Sequence, residues 1–227
     1  MTTVLVTGAS RGLGFEFCKQ YAAEGWEVLA CCRHPERAEK LAGIKNVRLL
    51  PLDVTDFAQI DRLAQAIKDT SIDVLINNAG IFGDAPGQGF GQLDYGAWTR
   101  TLLINAQAPV KMAEAFLPHL QRGRMKRLVS ISSQMGSIAD NGSGGSILYR
   151  TSKAALNAAM KSLSIDLKDL GIGVFILHPG WVKTDMGGPN ALMGAEKSVT
   201  GMRRVIADST LRQSGSFLKY DGSTLPW

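Results

Sequence analysis

Short apolar runs alternate with longer amphipathic stretches along this chain, and that alternation restricts the possible fold more than any other feature. The runs are apolar enough to be buried on both faces, as the central strands of a parallel sheet are. They occupy residues 3–6, 26–31, 47–52, 74–76, 127–131 and 174–177. The intervening stretches carry apolar residues three and four positions apart, which places them on one helical stripe. They occupy residues 15–23, 35–41, 57–67, 95–120 and 147–170.

Six repeats of strand followed by helix predict right-handed crossovers. The expected fold class is therefore α/β, a single-domain Rossmann fold with a doubly wound parallel sheet flanked by helices. No linker, low-complexity run or internal repeat divides the pattern, so we expect one domain over residues 1–227. With 45% hydrophobic residues the chain has a globular composition, which excludes disordered, collagen-like and disulfide-scaffold proteins.

Charge and cysteine content narrow the classes of partner. The 25 basic and 20 acidic residues give a net charge of +5, but the basic residues are scattered, so no nucleic-acid partner is expected. Neither the three cysteines nor the three histidines show metal-ligand spacing, which predicts no metal site. The chain shows no signal peptide and no apolar stretch long enough to cross a bilayer, so we expect a cytoplasmic protein without membrane contact.

A glycine-rich turn joins the first predicted strand to the first predicted helix. Its sequence is Thr7-Gly8-Ala9-Ser10-Arg11-Gly12-Leu13-Gly14. Glycines at such a turn let it close tightly, let backbone amides approach a pyrophosphate, and let the helix pack against the strand with its positive end toward the anion. This context predicts phosphate binding rather than an ordinary tight turn. The expected cofactor-binding residues here are Gly8, Ser10, Arg11, Gly12, Leu13 and Gly14.

Three further motifs follow in order along the chain. They are Asn77-Asn78-Ala79-Gly80, Tyr149-x-x-x-Lys153 and Pro179-Gly180. Together with the glycine turn, and over nearly the full length, they resemble the classical short-chain dehydrogenase/reductase family. The stretches 149–153 and 178–186 are most similar to its carbonyl-reductase-like branch, which includes the bacterial C-factor and insect sniffer proteins. The resemblance implies an oxidoreductase that forms a homodimer or homotetramer.

The end of the second strand indicates which nicotinamide cofactor binds. NAD sites place an acid there for the ribose 2′-hydroxyl, whereas NADP sites place positive charge for a 2′-phosphate. Here Cys32 holds the position and Arg33 follows, and Arg11 in the glycine turn is expected nearby. A guanidinium forms a bidentate, charge-assisted pair with phosphate. NADP(H) is therefore the expected cofactor; the alternative is that both arginines are solvated surface charges.

The family resemblance implies further cofactor contacts. Asp53, with Val54 beside it, matches an acid that binds the adenine amino group, although an acid capping the helix that begins near Asp56 is an equally good interpretation. Small residues after the fourth strand lie against the cofactor ribose in the family. In the family, the residues after the sixth strand contact the nicotinamide. The residues concerned are Asn78, Ala79, Gly80, Pro179, Gly180, Val182 and Thr184.

The expected chemistry depends on Tyr149 and Lys153, which lie four apart in a predicted helix and hence on one face. A nearby ammonium favours the phenolate and is expected to lower the tyrosine pKa from about 10. Tyr149 would then act as a general acid, while Lys153 also contacts the nicotinamide ribose. Taken without its context, such a pair is an ordinary contact on a helix surface.

A serine and an asparagine complete the set that the resemblance implies. Ser133 is expected to hold the carbonyl oxygen, with Ser132 as a minor alternative because the segment that follows is longer than in many family members. Asn105 matches the residue that holds a proton-relaying water; the alternative is a polar residue that bends a helix in the core.

These observations predict an NADPH-dependent carbonyl reductase whose small-molecule substrate is a ketone or aldehyde. One alternative is a dinucleotide-bound signalling or scaffold protein with little catalytic role, as proposed for C-factor relatives. A second is a basic protein that also binds RNA, which would show steeply salt-dependent affinity.

Overall fold

A wholly parallel sheet of seven strands forms the centre of the computed structural model, which describes residues 1–87 and 89–227. The strands are β1 (Thr3–Thr7), β2 (Glu27–Cys32), β3 (Val47–Pro51), β4 (Val74–Asn77), β5 (Arg127–Ile131), β6 (Gly173–His178) and β7 (Ser216–Lys219). Their order across the sheet is β3-β2-β1-β4-β5-β6-β7. The direction of winding reverses between β1 and β4, where a crevice opens at the carboxyl ends of the strands. The predicted α/β Rossmann fold is confirmed.

Helices cover both faces of the sheet. They are α1 (Gly12–Ala23), α2 (Glu39–Ala42), α3 (Phe57–Ala66), α4 (Tyr95–Leu102), α5 (Ala108–Arg122), α6 (Ile147–Asp166) and α7 (Ala195–Asp208). Successive strand residues point to opposite faces, so β1 contributes Val4 and Val6 to one apolar layer and Leu5 to the other. The first layer packs against α1, α2 and α7, and the second against α3, α5 and α6. Because helices cover both faces of the sheet, the strands carry apolar residues on both faces.

Three of the predicted helices differ from those observed. The segment 35–41 is a 3-10 turn, Pro35–Arg37, followed by the four-residue α2. The segment 95–120 is interrupted by a π-helical turn, Leu103–Gln107, between α4 and α5. The segment 147–170 ends its α-helix at Asp166 and continues as a short 3-10 turn. Apolar spacing does not distinguish these hydrogen-bonding patterns, because all of them keep one face against the sheet.

The cysteines lie in the apolar layers beside β2. Cys18, Cys31 and Cys32 are free and buried, and burial raises the pKa of the Cys18 thiol to about 12. In the described part of the chain, no helix combines the length and the apolar composition that a membrane span requires.

Close packing of α1 on β1 depends on Gly14. A Cβ at this position would lie 2.2 Å from the Gly8 carbonyl oxygen and 2.6 Å from Asn78 Nδ2. We expect Gly14→Ala to lower the free energy of unfolding by about 1–3 kcal/mol, the usual cost of overpacking, despite alanine's higher helix propensity. Urea unfolding measures the change. Gly43→Ala is the matched control, because a Cβ at Gly43 meets no atom within 4 Å, and it should leave stability equal or slightly higher. Equal stability of the two variants would contradict the prediction.

Candidate active site

A cleft lies along the carboxyl edge of the sheet, above the gap between β1 and β4. Its cavity volume is about 280 Å³, near the lower end of the range of about 300–1,000 Å³ for small-molecule sites. Most of the residues predicted to bind a cofactor line it. They are Gly8, Ser10, Arg11, Gly12, Leu13, Arg33, Asp53, Val54, Asn78, Ala79, Gly80, Tyr149, Lys153, Pro179 and Thr184.

Three residues that were predicted to contact the cofactor do not line the cleft. Gly14, the last residue of the glycine turn, is buried in α1, where it lets this helix approach β1. Gly180 has a φ of 82° and turns the chain away from β6. Val182 is 4% exposed and forms a β-bridge with Met193. The structure therefore gives these three a packing or turning position rather than a place on the cleft wall.

The glycine turn forms one end of the cleft. Gly8 and Gly12 have φ values of 64° and 56°, in the left-handed region that favours glycine. A Cβ on Gly8 would lie 2.9 Å from the Ala79 Cα, so a larger residue would separate the two loops. At the start of α1, Arg11 makes no side-chain capping bond. The first amides of this helix are thus available to an anion.

Thr7 ties the ends of β1 and β4 together. Its hydroxyl oxygen accepts hydrogen bonds from the backbone amides of Asn78, at 3.0 Å, and Ala79, at 3.1 Å. The Asn78 side-chain amide donates in return to the carbonyl oxygens of Thr7, at 2.9 Å, and Gly8, at 3.2 Å. The asparagine motif therefore supports the neighbouring glycine turn.

The two arginines expected at the 2′-phosphate site have different surroundings. Arg33 is exposed and lies on the cleft wall at the end of β2. The Arg11 guanidinium pairs instead with Asp185 at 2.8 Å across the mouth of the cleft. That Arg11 assists Arg33 stays a prediction: Arg11 lines the cleft, but a carboxylate from the segment after β6 competes for its charge.

Asp53 belongs to the cleft and does not cap a helix. Partial burial opposes ionisation of its carboxyl group, but hydrogen bonds from Thr55 and the charges of Arg33 and Arg100 lower its pKa. The cap of α3 is Asp56, whose side chain accepts from the Gln59 amide at 2.8 Å. Of the two interpretations of Asp53, helix capping is therefore excluded.

Tyr149 and Lys153 lie on the same face of α6 and are both buried. Burial raises the pKa of Tyr149 to about 12, and a hydrogen bond with the Ser133 side chain opposes part of that rise. Burial also lowers the pKa of Lys153 to about 8. Its ammonium donates to the Ile131 carbonyl oxygen at 2.8 Å and lies 5.7 Å from the centre of the Tyr149 ring.

The direction predicted for the Tyr149 pKa was therefore wrong. The sequence predicted a lowered value from the neighbouring ammonium, whereas removal of the phenol from water has the larger effect. A tyrosine of this kind stays protonated at neutral pH and holds a proton to donate.

The two serines after β5 have different partners. Ser132 lies on the cleft wall, but its hydroxyl donates to Asn157 Oδ1 at 2.6 Å. The Ser133 hydroxyl accepts from the Met135 amide at 3.1 Å, and it is near enough to the Tyr149 hydroxyl to lower the pKa of that phenol. Ser133 is not among the residues found to line the cleft, yet its hydroxyl is the one directed at Tyr149.

Asn105 lies in the π-helical turn between α4 and α5 and is 1% exposed. Its side chain pairs with both backbone groups of Ile81, donating to the carbonyl oxygen at 2.8 Å and accepting from the amide at 2.9 Å. It also donates to the Ser152 hydroxyl at 2.9 Å. Asn105 is behind the cleft wall, where only Gly80 separates it from the cleft: a Cβ on that glycine would be 3.2 Å from Asn105 Oδ1 and 3.7 Å from Lys153 Nζ.

The family model for short chain dehydrogenases matches residues 2–193 of this chain. The chain belongs to the short-chain dehydrogenase family. The C-signal protein of Myxococcus xanthus is 47% identical over 156 residues, which cover 69% of this chain and 93% of that protein.

Solved structures agree with this short-chain dehydrogenase assignment over the whole chain. The carbonyl reductase Sniffer of D. melanogaster is 36% identical with a TM-score of 0.90, and covers 100% of both chains. The NADPH-bound carbonyl reductase from chicken fatty liver is 35% identical with a TM-score of 0.92, and covers 100% of this chain and 99% of that one. The resemblance to the carbonyl-reductase-like branch is confirmed.

Three residues of this short-chain dehydrogenase site were missed from the sequence. Arg100 on α4 lines the cleft, and Phe82 and Asp84 contact the start of α6. Phe82 and Asp84 lie in a glycine-rich stretch, residues 80–94, which marks a loop but does not show partners that are distant in sequence. Among the described residues, no group of three histidines, cysteines or acids is placed to hold a metal ion.

Replacing Thr7 tests the tie between β1 and β4. Thr7→Val keeps the shape of the side chain and removes the acceptor, so we expect a loss of about 1–3 kcal/mol in the free energy of unfolding for each amide left unsatisfied. Thr7→Ser keeps the acceptor and should retain most of the stability. Chemical denaturation of the three proteins measures this; equal losses in the valine and serine variants would show that the hydroxyl oxygen is not what matters.

Proposed function

We propose that this protein is an NADPH-dependent carbonyl reductase that reduces a ketone or aldehyde. The observation that carries the proposal is the placement of Tyr149 and Lys153, both buried on one face of α6 and both on the wall of a cleft that begins at the glycine turn. This arrangement puts a proton donor and an anion-binding helix end in one site.

The residues of the cleft fit a nicotinamide dinucleotide. The amides at the start of α1 suit the pyrophosphate, and the absence of a side chain at Gly80 leaves room for a ribose beside Lys153. Arg33 and Arg100 line the cleft near Asp53, where their charges suit a 2′-phosphate. Thr184, beside Pro179, lines the cleft after β6, where the carboxamide is expected. When bound, the reduced cofactor supplies the hydride.

The protein's own residues supply orientation and the proton. The Ser133 hydroxyl holds the carbonyl oxygen beside Tyr149, which donates its phenolic proton to that oxygen as negative charge develops. The transfer is downhill because a substrate alkoxide is a stronger base than a phenolate. Lys153 then stabilises the phenolate through its ammonium, and Asn105 holds the Ile81 backbone against the site.

NADPH is proposed over NADH because of the positive charge of Arg33 and the similarity of this chain to an NADPH-bound carbonyl reductase. Arg33 follows β2 at the position where NAD sites carry an acid, and within residues 1–87 and 89–227 it makes no ion pair. The chicken carbonyl reductase, similar over the whole chain, was solved with NADPH bound.

A second candidate function has one supporting observation. The M. xanthus protein named C-signal is 47% identical to this chain, which favours a dinucleotide-bound signalling protein with little catalytic role. Such a protein needs no turnover, so an assay of carbonyl reduction separates the two candidates. Action in the cytoplasm as a homodimer or homotetramer stays a prediction.

Removing the phenolic hydroxyl tests the reductase. Tyr149→Phe is expected to lower kcat by about 100- to 10,000-fold, the usual contribution of a general acid. Turnover is followed by loss of NADPH absorbance across a panel of ketones and aldehydes, and cofactor binding by NADPH fluorescence. Tyr95→Phe is the control, because Tyr95 is 70% exposed on α4, and it should behave as wild type. Equal rates for wild type and Tyr149→Phe would favour the signalling candidate.

Replacing Arg33 tests cofactor choice. Arg33→Ala should raise the KM for NADPH by about 10- to 100-fold, the effect of losing a charged hydrogen bond, and leave the KM for NADH unchanged. Arg37→Ala is the matched control, since Arg37 is exposed and faces Glu36 at 3.9 Å. An equal effect on both cofactors would contradict a role in recognising the 2′-phosphate.

A further inference from the structure

The four residues 81–84, which follow the asparagine motif, connect the core of the site to the start of α6. The first is Ile81, whose two backbone groups both pair with the Asn105 side chain. The third is Gly83, with a φ of 84°, and a Cβ there would lie 2.1 Å from Thr101 Oγ1. The backbone of this segment is therefore held at both points, and its path is set by α4 and the π-helical turn.

This held segment places an aromatic ring on Tyr149. The centres of the Phe82 and Tyr149 rings are 4.8 Å apart, with 30° between the ring planes. Stacking of this kind restricts the orientation of the tyrosine ring. It does not by itself fix the backbone from which Tyr149 projects.

The start of α6 needs a cap from elsewhere in the chain. The residue at its N-cap, Ser146, has a φ of 44° and makes no side-chain capping bond. The helices α3 and α4 begin differently, because Asp56 and Asp94 each accept a bond from an amide three residues ahead. Without an equivalent, the first amides of α6 would be unsatisfied and the first turn would fray.

Asp84 provides that cap across 64 residues of sequence. Its Oδ1 accepts from the Leu148 amide at 3.1 Å, and its Oδ2 accepts from the Tyr149 amide at 2.9 Å. A carboxylate at a helix N-terminus gains charge-assisted bonds and a favourable interaction with the helix dipole. One of the two amides held in this way belongs to Tyr149 itself.

We propose that Asp84 is a positioning residue, whose carboxylate caps α6 and thereby holds the Tyr149 hydroxyl where it can donate its proton. The inference rests on the proposed function of Tyr149. Tyr149 is the third residue of α6, so fraying of the first turn would displace it directly. A displacement of the order of 1 Å can cost about 100-fold in rate.

The test compares two aspartates that cap helices at the two ends of the same loop. Asp84→Ala removes the cap of α6, and Asp94→Ala removes the cap of α4, which is the matched control for a loss of stability. Hydrogen exchange should speed up at the Leu148 and Tyr149 amides by about 2- to 30-fold in Asp84→Ala, the range for losing an N-cap. In Asp94→Ala the faster exchange should appear at Ala97 instead. Unchanged exchange at Leu148 and Tyr149 would overturn the proposed cap.

Steady-state kinetics then test whether the cap positions Tyr149. We expect kcat to fall about 10- to 100-fold in Asp84→Ala, with NADPH binding unchanged. Asp84→Asn keeps one acceptor oxygen, so it should give an intermediate kcat, and it carries the test if the alanine variant does not fold. In Asp94→Ala kcat should equal that of wild type. Equal kcat in the two alanine variants, despite faster exchange at Tyr149, would overturn the positioning role.

A spectroscopic measurement separates failure of this inference from failure of the proposed function. With fluorotyrosine incorporated, the Tyr149 resonance is assigned by its loss in Tyr149→Phe. It should shift or broaden in Asp84→Ala and stay as in wild type in Asp94→Ala. This outcome would support the positioning even if no carbonyl were reduced, whereas an unchanged resonance in Asp84→Ala would contradict it.

Discussion

The hydroxyl of Thr7 connects the ends of β1 and β4, the two neighbouring strands between which the direction of winding reverses. To one side of β1 the chain winds outward through β2 and β3, and to the other side through β4 to β7, so the loops after β1 and β4 diverge. The backbone amides exposed by that divergence need acceptors, and Thr7 serves two of them. The cleft, the glycine turn and the asparagine motif all depend on the spacing that this contact sets.

Burial decides the protonation of the proposed chemical groups more than charge does. Tyr149 and Lys153 are removed from water together, and each is driven toward its neutral form: the tyrosine pKa rises to about 12 and the lysine pKa falls to about 8. The ammonium bonds to a backbone carbonyl rather than to the phenol. Such a site stores a proton on the tyrosine and keeps the lysine close enough to its titration range to respond to what binds beside it.

Much of the fold and part of the site could be predicted from sequence because the signals are local. Apolar runs predicted six of the strands, since a strand covered on both faces is apolar at most of its positions. The glycine turn could be placed because a strand and a helix meet there within eight residues. The family resemblance favoured Ser133 over Ser132, but only the structure shows that the Ser132 hydroxyl is occupied by a partner distant in sequence, Asn157.

The sequence by itself determined which segments form strands, where the phosphate turn lies, and which residue types could carry a reduction, because each of these depends on neighbours along the chain. The tertiary structure alone decided the direction of the Tyr149 pKa, the pairing of Arg11 with Asp185 and the capping of α6 by Asp84. Those properties arise where loops distant in sequence meet at one sheet edge. They depend on the depth of burial and on distances of a few ångströms, which residue order does not encode locally.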